Sequence, residues 1–98
     1  MKTITDRVEK RFRELQWAEN NSQIRDLKRN VAFEIVPACK HIDGTVTFAR
    51  KYVADFTYVK NGFLYAEDVT SHKAENHRFF LLQKALVLWI HGVEILEV

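Results

Sequence analysis

The sequence predicts a single α/β (α+β) domain with the element order α-β-β-β-α-β and a mixed central sheet flanked by helices. Three observations predict this order: an early helical repeat of apolar residues, two turn signals among β-rich segments, and a long apolar segment before the last β segment. Of the 98 residues, 47% are hydrophobic, and only 3 are glycine and 1 is proline. This composition is typical of one globular domain over residues 1–98 and excludes a disordered chain.

The first predicted helix runs from about Asp6 to Glu19. Val8, Phe12 and Leu15 recur there at helical spacing, with charged residues between them. Asn20-Asn21-Ser22 is typical of a helix end, so the helix is expected to stop before it.

The β segments follow a short predicted connector, Ile24–Leu27. Asp43-Gly44 and Asn61-Gly62 are typical hairpin turns, so two hairpins are expected to form an antiparallel core. The predicted strands are Val31–Val36, Thr45–Phe48, Lys51–Tyr58 and Phe63–Val69.

The second predicted helix, about Glu75 to Ile90, is apolar on nearly every side. His91-Gly92 ends it, because glycine readily adopts the backbone conformation that closes a helix. The helix makes the crossover to a last strand, Val93–Val98. Its apolar surface suits either the core of the domain or the contact with a second subunit.

Charge and cysteine content exclude several classes of protein. The 15 basic and 13 acidic residues leave a net charge of +2, too balanced to indicate nucleic-acid binding by itself. Cys39 is the only cysteine, so no internal disulfide forms, and the four histidines lack zinc-ligand spacing. No apolar run approaches the ~20 residues of a membrane span, and no signal peptide opens the chain. We therefore expect a cytoplasmic protein that does not contact membranes.

A pair of opposed carboxylates is the sharpest prediction from the second hairpin. If Asn61-Gly62 is a two-residue type I′ turn, Lys60 faces Phe63, and Asp55 faces Asp68 with Cβ atoms about 5 Å apart. Like charges placed so are destabilising unless a divalent cation binds them or one carboxyl stays protonated. A register slip by one residue would instead leave both aspartates as ordinary solvated side chains.

Strict alternation along the strands predicts the surroundings of this pair. Asp55 is expected to share its face with Val53 and Thr57, and Glu67 to point with Val69 away from Asp68. The opposite face of the Asp55 strand is predicted to hold Ala54, Phe56 and Tyr58.

These residues resemble the PD-(D/E)XK nuclease superfamily, whose core also has the order α-β-β-β-α-β. The chain is most similar to a family of short phage-associated proteins placed in that superfamily, and the similarity spans nearly the whole chain. The resemblance implies a restriction-endonuclease-like fold. The matching stretches are Arg7–Phe12, Ile24–Leu27, Phe33–Ala38, Tyr52–Phe56, Glu67–Val69 and Gly92–Ile95.

The resemblance also implies a metal site and its catalytic residues. Asp55 and Asp68 match the two acidic ligands of Mg²⁺ or Mn²⁺, and Glu9 matches the helix glutamate that completes or supports the site. Thr70 stands where the superfamily has its catalytic lysine. Lys73, three residues downstream, is the expected replacement.

Two other lysines can take the same place. Lys51 lies on the Asp55 strand, and Lys84 lies on the second predicted helix. Both are also expected to contact nucleic acid, together with a cluster of basic residues near the start of the chain. The members of that cluster assigned to DNA are Arg7, Lys10 and Arg11. Alternatively, the cluster is a solvated helix face with pairs such as Lys10–Glu14.

The resulting expectation is a phage-type, metal-dependent DNA endonuclease, similar to Holliday-junction resolvases and acting in the cytoplasm of the host cell. It would recognise the backbone or the shape of DNA, because no base-reading motif is present. It would work as a homodimer. The alternative is a catalytically degenerate nuclease fold that binds nucleic acid or protein. Such a protein could inhibit a host defence complex, as a phage anti-defence factor does.

Overall fold

The computed structural model describes residues 4–69 and 74–98, which form two helices, a mixed four-stranded sheet and a separate two-stranded sheet. The predicted α/β class is therefore confirmed. The elements are α1 (Ile4–Asn20), β1 (Arg25–Val36), β2 (Cys39–Lys40), β3 (Val46–Thr47), β4 (Arg50–Lys60), β5 (Phe63–Asp68), α2 (Ala74–His91) and β6 (Glu94–Glu97).

The main sheet has the strand order β1-β4-β5-β6. β4 runs antiparallel to both β1 and β5, while β6 runs parallel to β5. A parallel neighbour needs a crossover connection, and α2 lies between the two strands in the chain. Apart from the small β2–β3 sheet, the order is the predicted α-β-β-β-α-β.

The first hairpin differs from the prediction. β1 begins at Arg25, so the expected connector Ile24–Leu27 is largely strand, and β1 pairs with β4. The segment after Asp43-Gly44 contributes only to the two-stranded sheet. The first half of β1 escaped detection because it lacks apolar alternation and because Asp26 and Asn30 have positive φ angles.

Each helix shares a cluster of buried side chains with the sheet. Leu15 of α1 packs with Phe56 and Tyr58, whereas Phe80 and Val87 of α2 pack with Ala54. Ala54, Phe56 and Tyr58 are all buried, but they belong to two different clusters. Thr57 is buried as well, so the burial alternation of β4 breaks at Asp55.

The C-terminal end of α2 follows the sequence signal. Gly92 has a positive φ of 69°, and its N–H donates to the carbonyl of Leu88 at 2.9 Å. This bond closes the helix as expected for a glycine cap.

Neither α1 nor α2, over the residues described, has the length and apolar character that a membrane crossing requires.

Candidate metal and phosphate site

The hairpin between β4 and β5 has the predicted register. Asn61 and Gly62 both have positive φ angles, as a type I′ turn requires. Backbone pairing runs from Lys60 opposite Phe63 to Phe56 opposite Glu67. The slipped alternative is thereby excluded. The backbone pairing ends with Phe56 opposite Glu67, one residue before the position where Asp55 would face Asp68.

Beyond this last pair, the side chain of Asp55 replaces a backbone group as the hydrogen-bond acceptor. Its Oδ2 accepts the backbone N–H of Val69 at 2.7 Å. The pKa of Asp55 is raised, chiefly by burial; the Val69 bond lowers it, the charge of Asp68 raises it, and the charge of Arg29 lowers it. The two aspartates therefore repel each other, as the sequence predicts.

Asp68 is buried and has a protein donor of its own. The hydroxyl of Tyr52 donates to Asp68 Oδ2 at 2.5 Å. Burial first, and then the Asp68 carboxylate, raise the pKa of Tyr52, so this phenol stays protonated and remains a donor. Nothing in the sequence singles out Tyr52, although a buried tyrosine usually finds a partner for its hydroxyl.

The strand beside Asp68 contributes a further carboxylate, which a lysine of α2 approaches. Glu97 of β6 is the register partner of Asp68. Lys84 of α2 places its Nζ 3.9 Å from Glu94 Oε1 and 4.0 Å from Glu97 Oε2. The charge of Glu97 also raises the pKa of Tyr52, so Glu97 lies close to the Tyr52–Asp68 pair. Only the parallel β5–β6 register, which the sequence does not specify, could have identified Glu97.

Glu9 is linked to this region by an ion pair with Arg29. Its Oε1 accepts a bond from Arg29 Nη2 at 2.6 Å. The Arg29 guanidinium lies over the Phe12 ring, 4.3 Å from the centroid. The charge of Arg29 also lowers the pKa of Asp55. Arg29 therefore interacts both with Glu9 and with the aspartate pair.

Three cations of α1 line a cleft of about 320 Å³ on the side of the sheet that Glu67 faces. Val69, whose N–H binds Asp55, forms part of its wall. The other lining residues are Arg7, Lys10, Arg11, Glu14 and Val98. Neither Asp55 nor Asp68 lines this cleft, so the prediction that α1 directs basic side chains toward the aspartates stays a prediction.

Arg11 also has a structural contact. Its Nε and Nη2 each donate to the carboxylate of Glu67 at 2.7 Å. Glu67 is fully buried and accepts a third bond from the Tyr58 hydroxyl at 2.6 Å. The predicted orientation of Glu67, on the side of Val69, is thus confirmed, and Glu67 fastens α1 to the sheet.

The predicted lysines are placed differently from one another. Lys84 lies near the carboxylates, as described above. Lys51 lines a separate groove of about 520 Å³ between α2 and the β1 and β4 strands, together with Arg50. Thr70 and Lys73 lie outside the described residues, so the role assigned to Lys73 stays a prediction.

Two aspartates, rather than a complete metal-ligand set, meet at this site. Among residues 4–69 and 74–98, no three His, Cys, Asp or Glu side chains lie close enough together to hold a metal ion. Carboxylate oxygens are nevertheless the ligands that Mg²⁺ prefers, and Mg²⁺ often binds through one or two carboxylates plus water and substrate phosphate. Asp55 and Asp68 supply two such carboxylates.

Comparison with known proteins adds no relative to this picture. No family model, no curated protein and no solved structure matches the chain. The resemblance to PD-(D/E)XK nucleases therefore rests on the motif residues and their order, and the function has to be argued from the geometry of the site.

Proposed function

We propose that the chain is a metal-dependent DNA phosphodiesterase with a restriction-endonuclease-like fold. The observation that carries the proposal is the closeness of Asp55 and Asp68 at the end of a β-hairpin, where the charge of Asp68 raises the pKa of Asp55. The element order and the antiparallel, antiparallel, parallel sheet support the same fold.

Asp55 and Asp68 would hold one Mg²⁺ or Mn²⁺ together with a phosphate oxygen of DNA. The ion would acidify a bound water and stabilise negative charge on the phosphate during hydrolysis. Glu9, held by Arg29, supports the site electrostatically. Arg7 and Lys10 bind the phosphate backbone, which makes recognition independent of base sequence.

Lys84 supplies the positive charge that Thr70 cannot provide. It extends from α2 to Glu97, the residue that pairs with Asp68. Its ammonium group therefore lies on the strand next to the one that carries Asp68. A lysine that leaves Glu97 for a bound phosphate would need only a rotamer change, because Lys84 is partly exposed.

A DNA cleavage assay tests the proposal. Branched, duplex and single-stranded DNA are incubated with Mn²⁺ and with wild type, Asp55→Asn or Asp26→Asn. Asp26 is an exposed aspartate of β1, so its variant is the matched control. We expect cleavage by wild type and Asp26→Asn and none by Asp55→Asn. Absence of cleavage of every substrate by wild type would refute the enzymatic proposal.

One observation favours a second candidate, a catalytically inactive nuclease fold that binds DNA or a host defence protein. Asp68 is engaged by Tyr52 and Asp55 by Val69, so each carboxylate is already satisfied by a protein donor without a metal. The same assay separates the candidates. This second function predicts DNA or protein binding without cleavage, and no difference between wild type and Asp55→Asn.

A further inference from the structure

Much of the surface of α2 is apolar and exposed. From residue 76 to 91 the helix has no acidic residue, and its only lysine or arginine residues are Arg78 and Lys84. Trp89 is 82% exposed and Phe79 63%. The large exposed apolar residues of the described part of the helix are Phe79, Leu81, Leu82, Leu88, Trp89 and Ile90. We call this set the α2 face.

The contact of α2 with its own sheet is too narrow to explain this composition. Phe80 and Val87 are the buried apolar residues of the described part of the helix, and Leu86 is partly buried. Phe80 and Val87 are seven residues apart and therefore lie on the same side of the helix. A helix that is apolar well beyond its buried stripe usually packs against another surface.

The exposed area is large enough for a stable interface. Two exposed aromatic rings and four half-exposed aliphatic side chains add up to roughly 600 Å². The largest apolar patch on a typical monomer covers about 300–600 Å². A standard interface buries about 800 Å² on each partner, part of it a polar rim. The α2 face therefore supplies an interface core of ordinary size.

We propose that the α2 face joins two copies of the chain as an antiparallel helix pair centred on Ala85. Ala85 is exposed and small, so two helices can approach closely there. In a two-fold pair about residue 85, Leu82 meets Leu88 and Leu81 meets Trp89. The face is thus complementary to itself, as a symmetric dimer interface must be.

The charges of α2 agree with the same arrangement. Seven residues before Ala85 lies Arg78, which is exposed. In the antiparallel pair it lies opposite Gly92, at the carboxyl end of the partner helix. Cations are favoured at that end because the last carbonyl groups of a helix carry partial negative charge.

The oligomeric state tests this proposal independently of the proposed catalysis. Sedimentation equilibrium of wild type should give twice the chain mass of 11.6 kDa at micromolar concentration. Ala85→Glu places two carboxylates at the two-fold axis and should weaken the dimer by about a hundredfold or more. Ile42→Glu, at a fully exposed apolar position of the β2–β3 turn, should leave it unchanged. Circular dichroism verifies that both variants fold.

A cross-linking experiment gives the position of the axis. In a Cys39→Ser background, Ala85→Cys should form a disulfide-linked dimer under mild oxidation, because the two Cα atoms would lie within about 7 Å. Ile42→Cys in the same background should not. A monomeric wild type, equal dissociation by Ala85→Glu and Ile42→Glu, or equal cross-linking of the two cysteine variants would overturn the proposal.

Discussion

The hydroxyl of Tyr52 donates a hydrogen bond to the buried carboxylate of Asp68 at 2.5 Å. Tyr52 lies in β4 and Asp68 ends β5. The bond supports the inner member of the aspartate pair from the side of α2, since Tyr52 also packs edge-on against Phe80.

Replacing this donor should destabilise the protein. Tyr52→Phe leaves the Asp68 carboxylate buried with one bond fewer, at a cost of about 1–3 kcal/mol. Urea unfolding measures the loss. Tyr65→Phe, at a half-buried tyrosine of the neighbouring strand, is the control and should cost less than about 1 kcal/mol. Equal losses in the two variants would show that the Tyr52–Asp68 bond contributes no more to the free energy of unfolding than the hydroxyl of Tyr65 does.

The Arg11–Glu67 pair should be a principal link between α1 and the sheet. Arg11→Leu leaves Glu67 fully buried with only the Tyr58 bond, which should cost about 3 kcal/mol. The double variant Arg11→Leu/Glu67→Leu should recover part of that loss, because no buried charge remains. Arg13→Leu, on the exposed side of α1, is the control. Additive losses in the double variant would contradict this coupling.

Asp55→Asn should stabilise the protein at neutral pH in metal-free buffer. Its folded-state pKa is raised, so its contribution to stability is present below the unfolded value, about 4, and is lost as pH rises through the folded pKa. Asparagine cannot ionise, yet its amide oxygen can still accept the Val69 N–H. Because Asp55 is only half-buried, the gain should not exceed about 1 kcal/mol.

Urea titrations at neutral and acidic pH check this prediction. The difference between wild type and Asp55→Asn should vanish below pH about 4. Asp26→Asn should show no such pH-dependent gain. A variant that is less stable than wild type at neutral pH would mean that the Asp55–Asp68 repulsion does not affect folding.

The basic cleft should bind DNA through phosphates. Lys10→Gln should weaken binding to every DNA sequence and reduce the salt dependence by about one counterion. Fluorescence anisotropy in EDTA, at several salt concentrations, measures both effects without cleavage. Lys28→Gln, at an exposed lysine outside the cleft, is the control. The same weakening in both variants would argue against a localised phosphate site.

The accuracy of the sequence predictions depended on how local each signal was. Asn61-Gly62 sufficed for the β4–β5 register, because a two-residue loop determines which residues pair. Asp43-Gly44 carried the same signal but closes only a two-residue ladder, so a turn motif does not tell how far its strands extend.

The contacts that surround the site could not be predicted from sequence. Arg11 and Glu67 are 56 residues apart, and Glu9 and Arg29 are 20 apart. Such pairs depend on how α1 packs on the sheet, which no local pattern determines. The break in alternation at Asp55 has the same origin, because its side chain replaces a backbone partner at the end of β5.

Binding of Mn²⁺ tests the central claim, that Asp55 and Asp68 form a metal site, most directly. Electron paramagnetic resonance of free Mn²⁺, titrated with protein, should show one ion bound per chain of wild type and of Asp26→Asn. Asp55→Asn and Asp68→Asn should abolish this binding while circular dichroism shows that they remain folded. Failure of wild type to bind Mn²⁺, or equal binding by Asp55→Asn, would contradict the claim.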